Sequence, residues 1–383
     1  MYQKKPGPAL LVRPRRLVLI LAPVVGLAAL VGVLLFGGLV HTVSGGVPVE
    51  SLVVEDVRLT PGALEVSVRN DSPSPVTISQ VTVDDAFRPF TVGSSTVDRL
   101  ASTTVTVPYP WEVAVPVHVA LLTSTGTVIE HSVEAPALTP SATPATLGML
   151  TLIGLAMAAI PVALGLLWLP ALRRASAAAV TATLAFALGL LAFLLVDSTA
   201  EGLSLAAGLG SLNGVGVFAL GALGALALFA AVESWGSGST GIRLAWLVAT
   251  GIGLHNLGEG LAVGTAMRVG EVALGTALVV GFAIHNLTEG VAIAAPLTSG
   301  SRASFWRLVP LVAVAGLPAI PGLWIGGLTG GGALAVLGLG VAAGAIAQVL
   351  LSVGRLVVAR PSPLAAASFT GAVVLMYLTG LLA

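Results

Sequence analysis

Two short stretches of an otherwise apolar chain carry residues able to hold a cation: Ile252-Gly-Leu-His-Asn-Leu-Gly-Glu-Gly260 and Phe282-Ala-Ile-His-Asn-Leu-Thr-Glu-Gly290. His255, Asn256 and Glu259 of the first return as His285, Asn286 and Glu289 of the second, thirty residues on. An imidazole, a carboxamide and a carboxylate inside hydrophobic segments are costly unless they face one another, water or a cation. On a helix, the i, i+4 spacing stacks each imidazole over its carboxylate, and the intervening asparagine turns about 100° away toward a flanking partner. The chain contains no cysteine. A metal held here is therefore bound by imidazole, carboxylate and amide oxygen, a donor set suited to Zn²⁺, Fe²⁺ or Mn²⁺ rather than Cu⁺.

The segments around these motifs belong to a membrane. Of 383 residues, 56% are hydrophobic and 9% charged, against roughly 25% charged in a soluble domain. The 17 basic and 17 acidic residues cancel, and nothing suggests a nucleic-acid partner. The fold class expected is a polytopic α-helical membrane protein with an added N-terminal anchor helix and an all-β domain.

Three regions follow in order. Residues 1–46 hold a basic flank (Lys4, Lys5, Arg13, Arg15, Arg16) and an apolar run from Leu17 to Val40. That run is longer than the ~7 to 15 residues of a signal-peptide core, so a retained anchor helix with a cytoplasmic N-terminus is expected. Residues 47–139 switch to short alternating runs punctuated by Pro61-Gly62, Asn70-Asp71-Ser72-Pro73, Asp84-Asp85 and Ser124-Thr125-Gly126, which predicts an antiparallel β-sandwich outside the membrane. His118 and His131 fall on its strands as surface or packing residues. Residues 140–383 predict eight helices at about 147–169, 175–200, 211–233, 244–267, 271–297, 307–327, 333–355 and 364–382, each long enough for a ~30 Å hydrocarbon core.

Loop charge orients this core. With the sandwich outside, the inside loops hold Arg173 and Arg174, Arg243, Arg302 and Arg307, then Arg355 and Arg360, while the outside loops hold only Arg268. That asymmetry follows the positive-inside rule and puts the C-terminus outside a cell membrane. His255/Glu259 and His285/Glu289 then reach one depth on consecutive antiparallel helices. Small residues, among them Gly251, Gly253, Gly258, Gly260, Gly264, Gly281 and Gly290, are expected to allow close helix contact.

Other readings of the pair fit less of it. A proton relay gives the asparagines no role, and a metalloprotease needs His-Glu-x-x-His on one helix, whereas each helix here supplies one histidine. No enzymatic activity and no resident cofactor are expected. Glu233 and Glu271 read as wetted helix-end residues. Asp197 and Glu201, four residues apart at the outer end of helix 175–200, fit two readings: an interfacial helix end, or an outer mouth that attracts cations.

The residues resemble the ZIP family of divalent metal transporters, and in particular its GufA-like bacterial branch, whose fourth and fifth core helices carry His-Asn-x-Pro-Glu-Gly. His255-Asn256-Leu257-Gly258-Glu259-Gly260 and His285-Asn286-Leu287-Thr288-Glu289-Gly290 match it except at the proline. Over about 147–383 the resemblance implies a binuclear mid-membrane centre. His255, Glu259, His285 and Glu289 would hold the primary ion, Asn256 and Asn286 would complete a second site, and the glutamates would bridge. It further implies transport of Zn²⁺ first, with Fe²⁺ or Mn²⁺ as alternatives, toward the cytoplasm by movement of one helix set against another. Three departures stand out: Gly258 and Thr288 replace the motif prolines, Gly316-Leu-Pro-Ala-Ile-Pro-Gly322 lacks the carboxylate often found on the sixth helix, and the loop over 234–243 is short and without histidine. The alternative function is a membrane-anchored sensing or binding protein whose sandwich recognises a ligand and whose His/Glu pairs are structural. The expected partners are divalent metal ions and the lipid bilayer, with a homodimer and a ligand of the sandwich left open.

Overall fold

The computed structural model describes residues 25–27, 29–30, 50–134, 136–234, 241–268, 272–299, 305–330 and 332–381. The anchor helix expected over 17–40 lies outside the described residues but for those few, as do Glu271 and Arg302. Two compact units divide the chain, Met1–Val49 and Glu50–Ala383, and the β-rich and helical regions both fall in the second.

In the β-region, alternation decides the faces. Leu64, Val66 and Val68 of β2 (Ala63–Asn70) point inward, with Glu65 and Ser67 between them. One sheet runs β1 (Leu52–Thr60), β2, β7 (Ser102–Pro108), β5 (Thr91–Val92). The other runs β4 (Ala86–Phe87), β3 (Val76–Val83), β8 (Val117–Thr123), β9 (Val128–Val133), with β6 (Thr96–Val97) also on β3. All pairings are antiparallel, and both sheets contribute to one apolar core. A bulge between Ile78 and Gln80 shifts β3 so that Val76 and Ile78, then Val81 and Val83, face that core. Asp84 and Asp85 turn β3 into β4 with φ of 50° and 61°, the left-handed backbone of a tight hairpin. Strand β8 begins at Val117, after a turn in which Ala114 adopts φ 61°.

The helical region contains α1 (Pro144–Leu172), α2 (Ala177–Ala207), α3 (Gly214–Ser234), α4 (Gly241–Arg268), α5 (Val272–Ala294), α6 in two halves (Phe305–Gly316 and Ala319–Thr329), α7 (Gly332–Val358) and α8 (Pro363–Gly380). Among the described residues seven helices are long and apolar enough to cross a membrane, consistent with a polytopic membrane protein. The helix left out of that seven is α4, whose 28 residues include His255, Asn256, Glu259 and two arginines. Large apolar side chains line the outer surface, such as Leu220, Leu223 and Trp306, at 71%, 66% and 77% exposure.

Prolines and polar residues shape the ends and breaks. Thr143, Ser176 and Ser362 cap α1, α2 and α8 through their hydroxyls. Pro161 follows a π-helical turn, Leu155–Ala159, in α1, and Pro318 sits at the break in α6. Helix α2 runs to Ala207, so Asp197 and Glu201 lie within it rather than at its end. Glu233, expected to be wetted, accepts hydrogen bonds from Gln348 Nε2 at 2.6 Å and Ser352 Oγ at 2.7 Å, which tie α3 to α7. Arg268 is not a free loop residue: it ends α4, is 3% exposed and pairs with Asp56 of β1.

Glycine contacts sort the helices into two sets. In the first, a Cβ on Gly260 of α4 would strike the Ala319 carbonyl of α6, and one on Gly290 of α5 would strike the Val162 carbonyl of α1. A Cβ on Gly316 of α6 would meet the Ala159 backbone of α1. In the second, Gly340 of α7 lies equally tight on the Phe218 carbonyl of α3, and Gly189 of α2 on the Phe369 carbonyl of α8. Across the boundary the approaches are to side chains: a Cβ on Gly251 would stand 3.1 Å from Val349 Cγ2, and one on Gly258 would stand 2.8 Å from Leu339 Cδ2. Among the expected glycines whose contacts are described, none joins the two motif helices: Gly253, Gly260 and Gly264 face α6, Gly251 and Gly258 face α7, Gly290 faces α1, and the motif faces of α4 and α5 meet through polar side chains.

Two outcomes follow from these contacts. Gly260→Ala should lower the melting temperature of the detergent-purified protein, at about 1 to 3 kcal/mol for a methyl forced onto backbone, while Gly224→Ala, with nothing within 4 Å of its Cβ, should not. In the sandwich, the His118 N–H and the Tyr109 hydroxyl both donate to Asp84 and hold its carboxyl below the ordinary carboxylate value. That stability is present above the ordinary value and is lost as pH falls through the depressed one. Asp84→Asn, which keeps the turn, should cost up to about 1 kcal/mol near pH 7, with the difference from wild type closing on acidification in melts followed by circular dichroism.

Candidate metal centre

All six motif residues are buried: His255, Asn256 and Glu259 at 3%, 0% and 3% exposure, His285, Asn286 and Glu289 at 7%, 0% and 2%. Helices α4 and α5 run unbroken through their motifs, so each turn delivers its polar atoms to the same interhelical space.

Glu259 is the hub. Its Oε1 accepts from His255 Nε2 at 3.1 Å, the expected i, i+4 contact, and also from His285 Nε2 across the interface. Its Oε2 accepts from Asn286 Nδ2 at 3.1 Å. His255, Glu259 and His285 thus each offer a ligand atom, all within 4.8 Å of one another. The second expected stack, His285 over Glu289, is not formed. His285 lies edge-on to Phe282, centroids 5.3 Å apart, and turns toward Glu259. Glu289 stands outside the trio, with Oε2 accepting from Asn256 Nδ2 at 3.3 Å.

The asparagines reach breaks in the flanking helices. Asn286 Nδ2 donates to the Met157 carbonyl of α1 at 2.8 Å. Pro161, four residues on, has no N–H to occupy that carbonyl. Asn256 Nδ2 donates to the Ala315 carbonyl at 3.0 Å, beside the α6 break at Pro318. The distortion thus resides in the flanking helices, which present carbonyls to the centre where α6 has no carboxylate. Each amide NH₂ is used twice, once on a carbonyl and once on the glutamate of the other motif. Asn256 Oδ1, Asn286 Oδ1 and Glu289 Oε1 are buried with no hydrogen-bond partner. Three such oxygens in one interior are costly when left without a donor, and they are the donor type that hard and borderline cations accept.

One further residue reaches the centre from the second helix set. Ser198 of α2, fully buried, is 2.9 Å from His255 Nδ1. A hydroxyl can donate to an unprotonated Nδ1 or accept from a protonated one, so it supports either tautomer. A cation on Nε2 requires the proton on Nδ1, where Ser198 Oγ accepts it. Its only sequence signal was its place between Asp197 and Glu201. Those two acids separate: Asp197 is exposed, whereas Glu201 is half-buried and lines a cavity of about 770 Å³ between the sandwich and the helices that reaches Gly258, next to Glu259. His118, expected as a surface or packing residue, contacts Ser132 Oγ through Nδ1 at 2.7 Å. Burial on the sandwich lowers the His131 imidazole below its ordinary value.

No family model and no curated protein matches the chain. The geometry itself predicts an order of effects in calorimetric titration of the purified protein with Zn²⁺. Glu259→Gln should weaken binding most, and Ser198→Ala should cost about tenfold through the loss of His255 orientation. Equal affinities in wild type and Glu259→Gln would separate the trio from metal binding.

Proposed function

We propose that the protein transports divalent metal cations across a membrane toward the cytoplasm, as the resemblance to the ZIP family implies. The single observation that carries this reading is the joining of two imidazoles on one buried carboxylate, surrounded by three partnerless oxygens, inside helices otherwise suited to lipid. Imidazole, carboxylate and amide oxygen suit Zn²⁺, with Fe²⁺ or Mn²⁺ as alternative cargo. His255, Glu259 and His285 hold the first ion. Asn256, Asn286 and Glu289 hold oxygen donors for a second, and Glu259 Oε2 bonded to Asn286 links the two positions.

In this reading α4 crosses the membrane as the eighth helix, its hydropathy lowered by the ligands themselves. Contacts at the two ends of the helices support the orientation from loop arginines. Arg173 bonds the Leu297 carbonyl, Arg243 bonds the Val232 and Glu233 carbonyls, and Gly241 lies against Pro296, which gathers those loops at one end. The sandwich and Arg268 occupy the other. The first end is cytoplasmic, and the sandwich and C-terminus are outside. Asp197 and Glu201 gather cations at the outer face, with Glu201 on the cavity above the centre.

Alternating access requires the centre to face one side at a time. The division into two helix sets supports a sliding movement: all six ligand residues sit on α4 and α5 of the first set, and across the boundary that set meets side chains, the Ser198–His255 bond and, at the loop end, the bonds of Arg243 to the Val232 and Glu233 carbonyls of α3. Glu259→Ala should abolish uptake of radioactive zinc into proteoliposomes with the protein still folded, and Glu289→Ala should do the same by removing the second position. Uptake at the wild-type rate in Glu259→Ala would sink the proposal.

A further inference from the structure

The β-sandwich is fastened to the helices by two buried arginines, and each leads to a different helix set. Arg268, at the end of α4 in the first set, donates from Nε to Asp56 Oδ1 at 3.0 Å and from Nη2 to Asp56 Oδ2, and Nη1 reaches the Leu328 carbonyl of α6 at 2.7 Å. Arg69 of β2, 4% exposed, pairs inside the sandwich with Glu55 at 2.7 Å and with Asp71. Its Nη2 donates outward to the Leu209 carbonyl at 3.0 Å, in the turn after α2 of the second set. This seat fits closely: Gly210 adopts φ 54°, and a Cβ there would strike Asp71. The covalent connection adds to the first attachment, because Thr139 exchanges hydrogen bonds with Leu59 of β1 at 2.8 and 3.0 Å, four residues before the Thr143 cap of α1.

The two attachments are unequal. Parting Asp56 from Arg268 would leave a buried guanidinium without its counter-charge, which is strongly unfavourable. The Arg69–Leu209 contact is to a neutral carbonyl, and parting it leaves Arg69 paired with Glu55 and Asp71. We propose that the sandwich is a moving part of the transporter: it travels with the site-bearing set, and its seat on the Leu209 turn opens and closes as the sets shift, which uncovers and covers the cavity leading to Glu201. This rests on the set movement invoked for transport.

The chain's lack of cysteine allows spin labels at chosen sites. Glu130→Cys marks the sandwich, Val280→Cys α5 of the first set, and Val215→Cys α3 of the second. All three positions are exposed, the valines at 51% and 59%. Pairwise distances by double electron–electron resonance in nanodiscs, with Zn²⁺ and with chelator, should hold for 130–280, while 130–215 and 280–215 both shift by about one helical turn, ~5 Å. A constant 130–215 distance alongside a changing 280–215 distance would overturn the proposal, since the sandwich would then ride with the other set. Constancy of all three would overturn it as well. Leu334→Cys on α7, 55% exposed, replaces Val215→Cys should that variant fail to fold. Zinc uptake by the unlabelled protein is read separately, so absent uptake removes the transport reading while the distances judge the sandwich.

Discussion

Burying the Glu259 carboxylate among apolar helices costs several kcal/mol unless hydrogen bonds and opposite charge offset it. Its partners come from two helices: His255 one turn below it on α4, and His285 and Asn286 across the interface on α5. That requirement sets the depth and rotation of α4 against α5, and through the asparagine–carbonyl bonds it sets α1 and α6 as well. The first helix set is organised from this carboxylate outward.

The near-copies of the motif produce a crossed arrangement rather than two independent pairs. Each asparagine reaches the other motif's glutamate and a carbonyl on its own flanking helix, so neither helix can rotate without losing bonds on both sides. Symmetry ends at the carboxylates: Glu259 collects both imidazoles, and Glu289 is left with one amide and a free oxygen. In the proposed transport, an unequal pair suits holding a cation and then releasing it.

Small residues divide the remaining packing. Backbone-close glycine contacts lock α1 with α5 and α4 with α6, and likewise α3 with α7 and α2 with α8, while the boundary between the groups is spanned by flexible side chains. Contacts of backbone on backbone tolerate no sliding, whereas Leu and Val side chains can exchange partners at little cost. The sandwich lies across that boundary, attached to one group by the Asp56–Arg268 charge pair and reaching the other through the Leu209 carbonyl.

The polytopic membrane character, the polar residues that cluster in the interior and most helix bounds were legible in the sequence, because apolar runs of fixed length and a repeated polar motif are local signals. The alternation of Leu64, Val66 and Val68 likewise marked a strand. The partner of each polar atom was not legible. The same His-x-x-x-Glu spacing yields a stacked pair on α4 and none on α5, since only the packed interface brings His285 within reach of Glu259. Ser198, the carbonyls of Met157 and Ala315, and the burial of Arg268 against Asp56, 212 residues away in the chain, depend on segments distant in sequence that meet only after folding. Residue type and period thus determined which groups are present and at what depth, and tertiary packing alone decided which of them touch.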